Sequence, residues 1–269
     1  MIPQIWSARL LLALEKSLVF GQSGVINTDY EGEIRADGDR VHIHSFNDLT
    51  IGTYAKNSTT ISYELLTDSR QTLLIDQSKY FAFKVDDIDE AQMRPKIVDA
   101  ASQRAGYQLA ETADRYIAGL YAGITNFTAT SQATSSNIYQ KLVETKVKLD
   151  ELNVPAEGRF IILPPWVAGL ALQNSTFLAA SAASTLNGAI GQVAGFNVLV
   201  SNNVPTSGSA PVVSHIVAGH SSGWTYAQQI ADVEAIRLEG SFADGIRGLH
   251  LYGAKVIRPE ALHVLRVNP

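Results

Sequence analysis

From Ile97 onward, apolar or small residues recur four apart, at Ala101, Ala105, Leu109, Ala113 and Ile117, with Leu120 closing the series. Arg, Gln, Glu and Asp fill the positions on the other side. At 3.6 residues per turn these apolar positions share one face, so the stretch predicts a long amphipathic helix that stops at Gly123. Pro95 falls in its first turn, where a missing N–H is harmless. From Pro95 to Tyr121 such a helix runs about 40 Å at 1.5 Å per residue. That exceeds what one small core needs, and the expected role is a structural spine.

Upstream, the period is two. Val41, Ile43 and Ser45 alternate with His42, His44 and Phe46, and Ile61, Tyr63 and Leu65 alternate with Ser62 and Glu64. LLI (73–75) and YFAFKV (80–85) follow, so residues 41–85 predict antiparallel strands or hairpins. Their middle, NDLTIGTYAKNSTT (47–60), is polar and small and reads as the tip of a long hairpin. Ahead of it, GQSGVINTDYEGEIRADGDR (21–40) has no apolar period and reads as an extended arm. IWSARLLLALEKSLVF (5–20) reads as an amphipathic helix that must lie against something.

Downstream of the spine, YQKLVETKVKLDELNV predicts a second helix stopped by Pro155. RFIIL (159–163) predicts a buried strand, PWVAGLALQ a short helix and FNVLVS (196–201) another strand. Strands VVSHIVAG, GWTYAQQI, VEAIRLEG and RGLHLYGAKVIRP complete an α+β chain.

Composition narrows the function classes. The 269 residues allow one large domain or two modest ones, and 46% hydrophobic with 17% charged residues suits a globular core. A net charge of −5 argues against a general grip on nucleic acid, which needs clustered Lys and Arg. The absence of cysteine excludes disulfides, thiolate metal sites and a cysteine nucleophile. The LLLAL core of the first helix is broken by Glu15 and Lys16 and has no cleavage signal after it, so no signal peptide is expected. No run reaches the roughly 18 apolar residues of a membrane span. Without secretion, the sequons at Asn57, Asn126 and Asn174 carry no meaning.

Three patterns invite chemistry. Gly219-His220-Ser221-Ser222-Gly223 fits G-x-S-x-G, the turn on which a hydrolase presents its nucleophilic serine. Asp232 or Asp244 with His250 or His263 would satisfy the order of the remaining triad. Yet the residues after Gly223 alternate like a strand, no oxyanion loop lies upstream, and too little chain is left for the rest of such a fold. A turn between two antiparallel strands is the expected reading, with 20 glycines in the chain to produce the pattern by chance. His42 and His44 share a strand face that could begin a metal site, but no third ligand accompanies them. Asp86, Asp87, Asp89 and Glu90 stand just ahead of the spine, where carboxylates cap free N–H groups and meet the positive end of the helix dipole. No cofactor is expected.

IDQSKYFAFKVDDIDEAQ (75–92), GAIGQVAGFNV (188–198) and SFADGIRGLHLYGAKVIRPEALHVL (241–265) together resemble the major capsid proteins of tailed bacteriophages with the HK97 fold, in the branch similar to P22-type coat proteins. The resemblance spans nearly the whole chain in the right order. It implies an N-terminal arm (1–40), an extended E-loop hairpin (41–84), a peripheral domain with the spine helix (85–123 and 225–269) and an axial domain (124–224). It further implies self-assembly into hexamers and pentamers around double-stranded DNA in the virion, after assembly in the host cytoplasm. A separate scaffolding protein, a portal protein and a decoration protein are the implied partners, with no membrane and no enzymatic activity. Intersubunit contact is expected from Trp6, Leu10, Leu11 and Leu14 of the arm, from Ile51, Tyr54, Lys56, Ile61 and Tyr63 of the E-loop, and from loops near 179–192. Some relatives join a hairpin lysine to an asparagine; Lys56 with Asn202 or Asn203 would be the pair here, but non-covalent assembly is expected. The alternatives are an encapsulin-like compartment shell and, from another class, a serine hydrolase using Ser221.

Overall fold

A computed structural model describes residues 18–29, 40–46, 51–56, 63, 68–86, 96–174, 191–238 and 243–269. In chain order the elements are strands β1 (Arg40–Phe46), β2 (Asp68–Leu74) and β3 (Gln77–Asp86), helix α1 (Lys96–Gly119), strand β4 (Ser131–Gln132) and helix α2 (Ile138–Glu151). Strand β5 (Arg159–Leu163), helix α3 (Pro165–Leu172) and strands β6 (Gln192–Val193), β7 (Phe196–Val200), β8 (Thr206–Ser207) and β9 (Val213–His220) follow. The chain closes with β10 (Trp224–Arg237), β11 (Ala243–Val256) and β12 (Leu262–Asn268).

The apolar run RFIIL is the buried β5, parallel to β7 and antiparallel to β9. Around it the larger sheet runs β4-β12-β9-β5-β7-β6, with β8 also pairing β9. Six consecutive residues of β9, Ser214–Gly219, are buried, as befits a strand covered on both faces. Helix α2 buries Ile138, Leu142, Thr145 and Leu149, and the Thr145 hydroxyl donates to Lys141 O, which keeps a polar group satisfied inside.

A second, three-stranded antiparallel sheet runs β10-β11-β3. GWTYAQQI and VEAIRLEG, read as two strands, form the single 14-residue β10, in which a bulge between Ile230 and Asp232 absorbs the interruption. Helix α1 buries the predicted Leu109, Ala113 and Ile117 and continues as a 3-10 turn over Leu120–Gly123. A parallel stripe one residue on, Ala110, Asp114 and Ala118, is buried as well. Asp114, read as part of the polar face, is only 1% exposed. Burial pushes its carboxyl pKa up, while the amides of Val19, Gly21 and Phe20 and the side chain of Asn203 pull it down.

Two expectations are corrected. Residues 18–29, expected to belong to the helix and arm, fold into turns within the chain's own core. Phe20, Val25 and Ile26 are buried, Trp224 Nε1 donates to Val25 O at 2.6 Å, and Asn27 bridges to Thr225. Turns stitched to a distant strand carry no short-range period, which is why the sequence reads as an arm there. The last strand, placed with the peripheral segment 225–269, instead lies between β4 and β9 of the larger sheet. Its HVLRV alternation fits any half-buried sheet, so only the partner decides which one it joins.

Strands β1 and β2 pair antiparallel from Arg40↔Leu74 to Phe46↔Asp68, the expected base of a long hairpin. Val41, Ile43, Leu73 and Ile75 form a small core of their own with Ala227 and Leu251. Gly253 makes the close approach possible, because a Cβ there would stand 2.3 Å from Leu74 O. The Lys255 ammonium donates to Thr72 O at 2.9 Å and the Gln71 amide to Ile257 O at 3.2 Å, fixing the root of the hairpin to the body.

Candidate assembly surfaces

Between β1 and β2 the described residues of the hairpin are 51–56 and Tyr63, and all of them are exposed. Ile51 is 96% exposed, Tyr63 93% and Tyr54 66%. Isolated exposed apolar residues are ordinary, but here three large ones stand exposed on one hairpin, two of them nearly bare. Lys56 is exposed beside them. Ile61, the arm residues Trp6, Leu10, Leu11 and Leu14, and most of the 179–192 stretch lie outside the described residues.

A second exposed surface escaped the sequence reading. Strand β3 is one of the two outer strands of the three-stranded sheet, and a groove of about 830 Å³ separates it from α1. Tyr80 is 78% exposed and Tyr107 on the helix 56%. The signal was the YFAF run: in a strand at the edge of a sheet, adjacent aromatics must point to opposite faces, so they cannot all enter one core.

The GHSSG corner is not a hydrolase elbow. Its upstream strand β9 belongs to the larger sheet and its downstream strand β10 to the smaller, joined by the 3-10 turn Ser221–Gly223 rather than by a helix. The corner is a turn between two strands, as expected, but β9 and β10 do not pair with each other. The glycines serve packing. A Cβ on Gly219 would stand 2.4 Å from Ala261 O, and one on Gly223 2.4 Å from Leu262 Cγ. The histidine beside the serines holds Ser222 rather than Ser221, with Nδ1 at 2.8 Å from its Oγ and 3.2 Å from its N. The two downstream histidines are occupied elsewhere, His263 Nε2 with Thr128 Oγ1 at 2.7 Å and His250 Nε2 with Gln228 Oε1 at 3.2 Å. Burial lowers both to about 4, with Lys148 adding to the effect at His263. The side chains of Asp232 and Asp244 are outside the description.

The remaining candidates do not converge. Among the described residues no three His, Asp or Glu side chains are placed to hold a metal. His42 is exposed, with Nδ1 3.4 Å from Thr72 Oγ1. Asp87, Asp89 and Glu90 lie outside the described residues, so their capping role stays an expectation. The sequon residue Asn126 donates to Pro259 O and Leu262 O, which makes it a structural amide. No described helix is long and apolar enough to cross a membrane.

Residues 70–265 match the phage capsid protein family. The chain belongs to that family. A solved structure from Mycobacterium phage Che8 is 30% identical, covers 92% of this capsid protein and 90% of its own chain, and superposes with a TM-score of 0.73. The capsid of Ralstonia phage GP4 is 13% identical, with coverages of 94% and 90% and a TM-score of 0.70. A virus-like particle from Pyrococcus furiosus is 12% identical over 98% of both chains, TM-score 0.57. The last two likenesses concern the fold alone, which is the HK97-like α+β fold. No curated protein sequence matches the chain. The protein is thus a phage major capsid protein, a structural component that self-associates into the capsid lattice of the virion. The Asn203 side chain is engaged by Asp114, whereas Asn202 is exposed.

Proposed function

We propose that this capsid protein assembles as hexamers and pentamers into the icosahedral head of a tailed double-stranded DNA phage, in the branch of P22-type coats, and performs no catalysis. The exposure of Ile51, Tyr54 and Tyr63 on one hairpin carries the reading. In a lone subunit these side chains gain nothing from water, and burying each against a neighbour contributes about 1.5–3 kcal/mol. Residues 41–84 act as the E-loop, residues 1–40 as an arm whose root stays in its own subunit, and Trp6, Leu10, Leu11, Leu14 and Ile61 as further contacts. The spine and three-stranded sheet form the peripheral domain. Residues 124–224, joined by the final strand, form the axial domain. A separate scaffolding protein directs assembly in the host cytoplasm, a portal occupies one vertex, and a decoration protein reinforces a shell held without covalent cross-links. The net charge of −5 suits a shell that encloses DNA without gripping it.

Electron microscopy of the purified chain, with and without a candidate scaffolding protein, tests this. Closed shells, tubes or capsomer rings are expected, and Ile51→Asp with Tyr54→Asp should abolish them while leaving the subunit folded. A chain that stays monomeric under every condition overturns the proposal.

A further inference from the structure

One carboxylate joins three parts of the chain that are far apart in sequence. Asp114, near the C-terminal end of α1, accepts hydrogen bonds from the backbone N–H groups of Val19 at 2.8 Å, Phe20 at 3.1 Å and Gly21 at 3.3 Å. It is also bonded by the side chain of Asn203, in the segment between β7 and β8. Three successive amides converging on one side chain fix residues 19–21 against the spine helix. Asn203 ties that point to the larger sheet. The segment's other end is held independently: Asn27 N–H donates to Trp224 O at 3.2 Å, and Tyr226 N–H donates to Asn27 O at 2.9 Å.

Side-chain packing is even across the segment, with Leu18, Phe20, Val25 and Ile26 in one core and the Phe20 ring edge-on to Trp224 at 6.3 Å between centroids, but its hydrogen bonding is not. Val25 and Ile26 sit in the main core beside Trp224, and the Trp224 indole N–H holds Val25 O. Leu18 and Phe20 are buried too, and the Gln22 amide donates to Leu18 O at 2.7 Å, but the backbone N–H groups of Val19, Phe20 and Gly21 depend on Asp114. Without that acceptor three buried or half-buried N–H groups have no partner, and exposing them to water becomes the better state. A cut at Asp114 therefore removes the N–H anchors of residues 19–21, leaving only side-chain burial to hold them, and leaves the hydrogen bonds of residues 25–27 in place.

We infer that Asp114 is a latch that holds the root of the N-terminal segment, residues 18–21, on the spine helix and on the Asn203 loop, and that this root opens as a local unit without unfolding either sheet. Asp114 is a positioning residue in this role: it acts through the backbone of residues 19–21. The inference concerns the subunit itself and stands whether or not the lattice forms as proposed above.

Hydrogen exchange on the full, unassembled chain tests it. Asp114→Asn keeps the size but turns one acceptor oxygen into a donor. Exchange at Val19, Phe20 and Gly21 should rise by about tenfold or more, as loss of hydrogen bonds to a charged group implies. The amides of Asn27, Tyr226 and Ile162 should keep their protection. Unchanged protection at residues 19–21 overturns the latch, as does a loss spread equally over Asn27, Tyr226 and Ile162. Should Asp114→Asn fail to fold, the unaltered chain decides. In low denaturant the 19–21 amides must exchange through an opening that spares Ile162, and exchange only by global unfolding overturns the inference.

Discussion

Acid should weaken this subunit through two buried histidines, and the amount follows from their surroundings. His250 is 1% and His263 3% exposed. In each, Nε2 is engaged and the buried Nδ1 has no partner. At His250, where Nε2 donates to the Gln228 amide oxygen, a second proton would sit on an Nδ1 with nothing to receive its hydrogen bond, and at both residues burial holds the folded-state value down at about 4 against 6.5. The unfolded chain therefore binds more protons between these limits. The stability these residues contribute is fully present above about pH 6.5 and is lost as pH falls toward 4. At pH 5 the unfolded histidines are about 1.5 pH units below their pKa. At about 1.4 kcal/mol per unit, that is about 2 kcal/mol each, or about 4 kcal/mol together.

Urea unfolding of the unassembled chain at pH 7 and pH 5 reads this directly. His263→Gln should shrink the loss between the two pH values by about 2 kcal/mol, and adding His250→Gln by about 2 kcal/mol more. His215 and His220 are lowered too, by burial first and then by Arg266 and Arg159 respectively, so some loss remains in the double variant. Asp114 works in the opposite sense, because a raised carboxyl value gives stability that fades as pH rises through it. A double variant that loses as much on acidification as the unaltered chain would refute the argument.

Other outcomes follow from single contacts. Gly253→Ala forces a Cβ to 2.3 Å from Leu74 O and should cost about 2 kcal/mol or more in urea unfolding, with the loss centred on the hairpin root; a cost under about 0.5 kcal/mol would show that the root shifts freely. Arg159 is buried, and its guanidinium donates to Val154 O at 2.6 Å and Pro155 O at 2.8 Å; its Nη1 also lies 2.7 Å from Asp150 Oδ1, an ion pair outside hydrogen-bond geometry. Arg159→Met leaves those carbonyls at the end of α2 without donors and should lower stability by about 3 kcal/mol, checked by chemical denaturation. Ser221→Ala should change neither stability nor particle formation, whereas Gly219→Ala should cost about 2 kcal/mol or more; esterase turnover lost in Ser221→Ala alone would restore the hydrolase reading.

What local pattern controls, the sequence by itself determined. The four-residue spacing from Ala101 to Ile117 set the spine, the unbroken RFIIL run set a buried strand, and the alternation around residues 41–46 and 73–75 set a hairpin with a long polar tip. The exposure of Ile51 and Tyr54 was legible for the same reason, since apolar residues within a polar tip have no local core to enter. Only the tertiary structure decided which sheet each strand joins. VVSHIVAG and GWTYAQQI are adjacent and similar, yet the corner at Ser221–Gly223 sends them to different sheets, and HVLRV returns to pair with β9. The burial of Asp114 and of Val25 and Ile26 was decided the same way. An aspartate on a helix reads as solvated until three amides from about ninety residues away arrive to hold it, and a turn without period reads as an arm until a tryptophan closes over it. Local periodicity records which face of an element is apolar. It holds no record of the partner, because partners are chosen by contacts between residues that sequence order does not bring together.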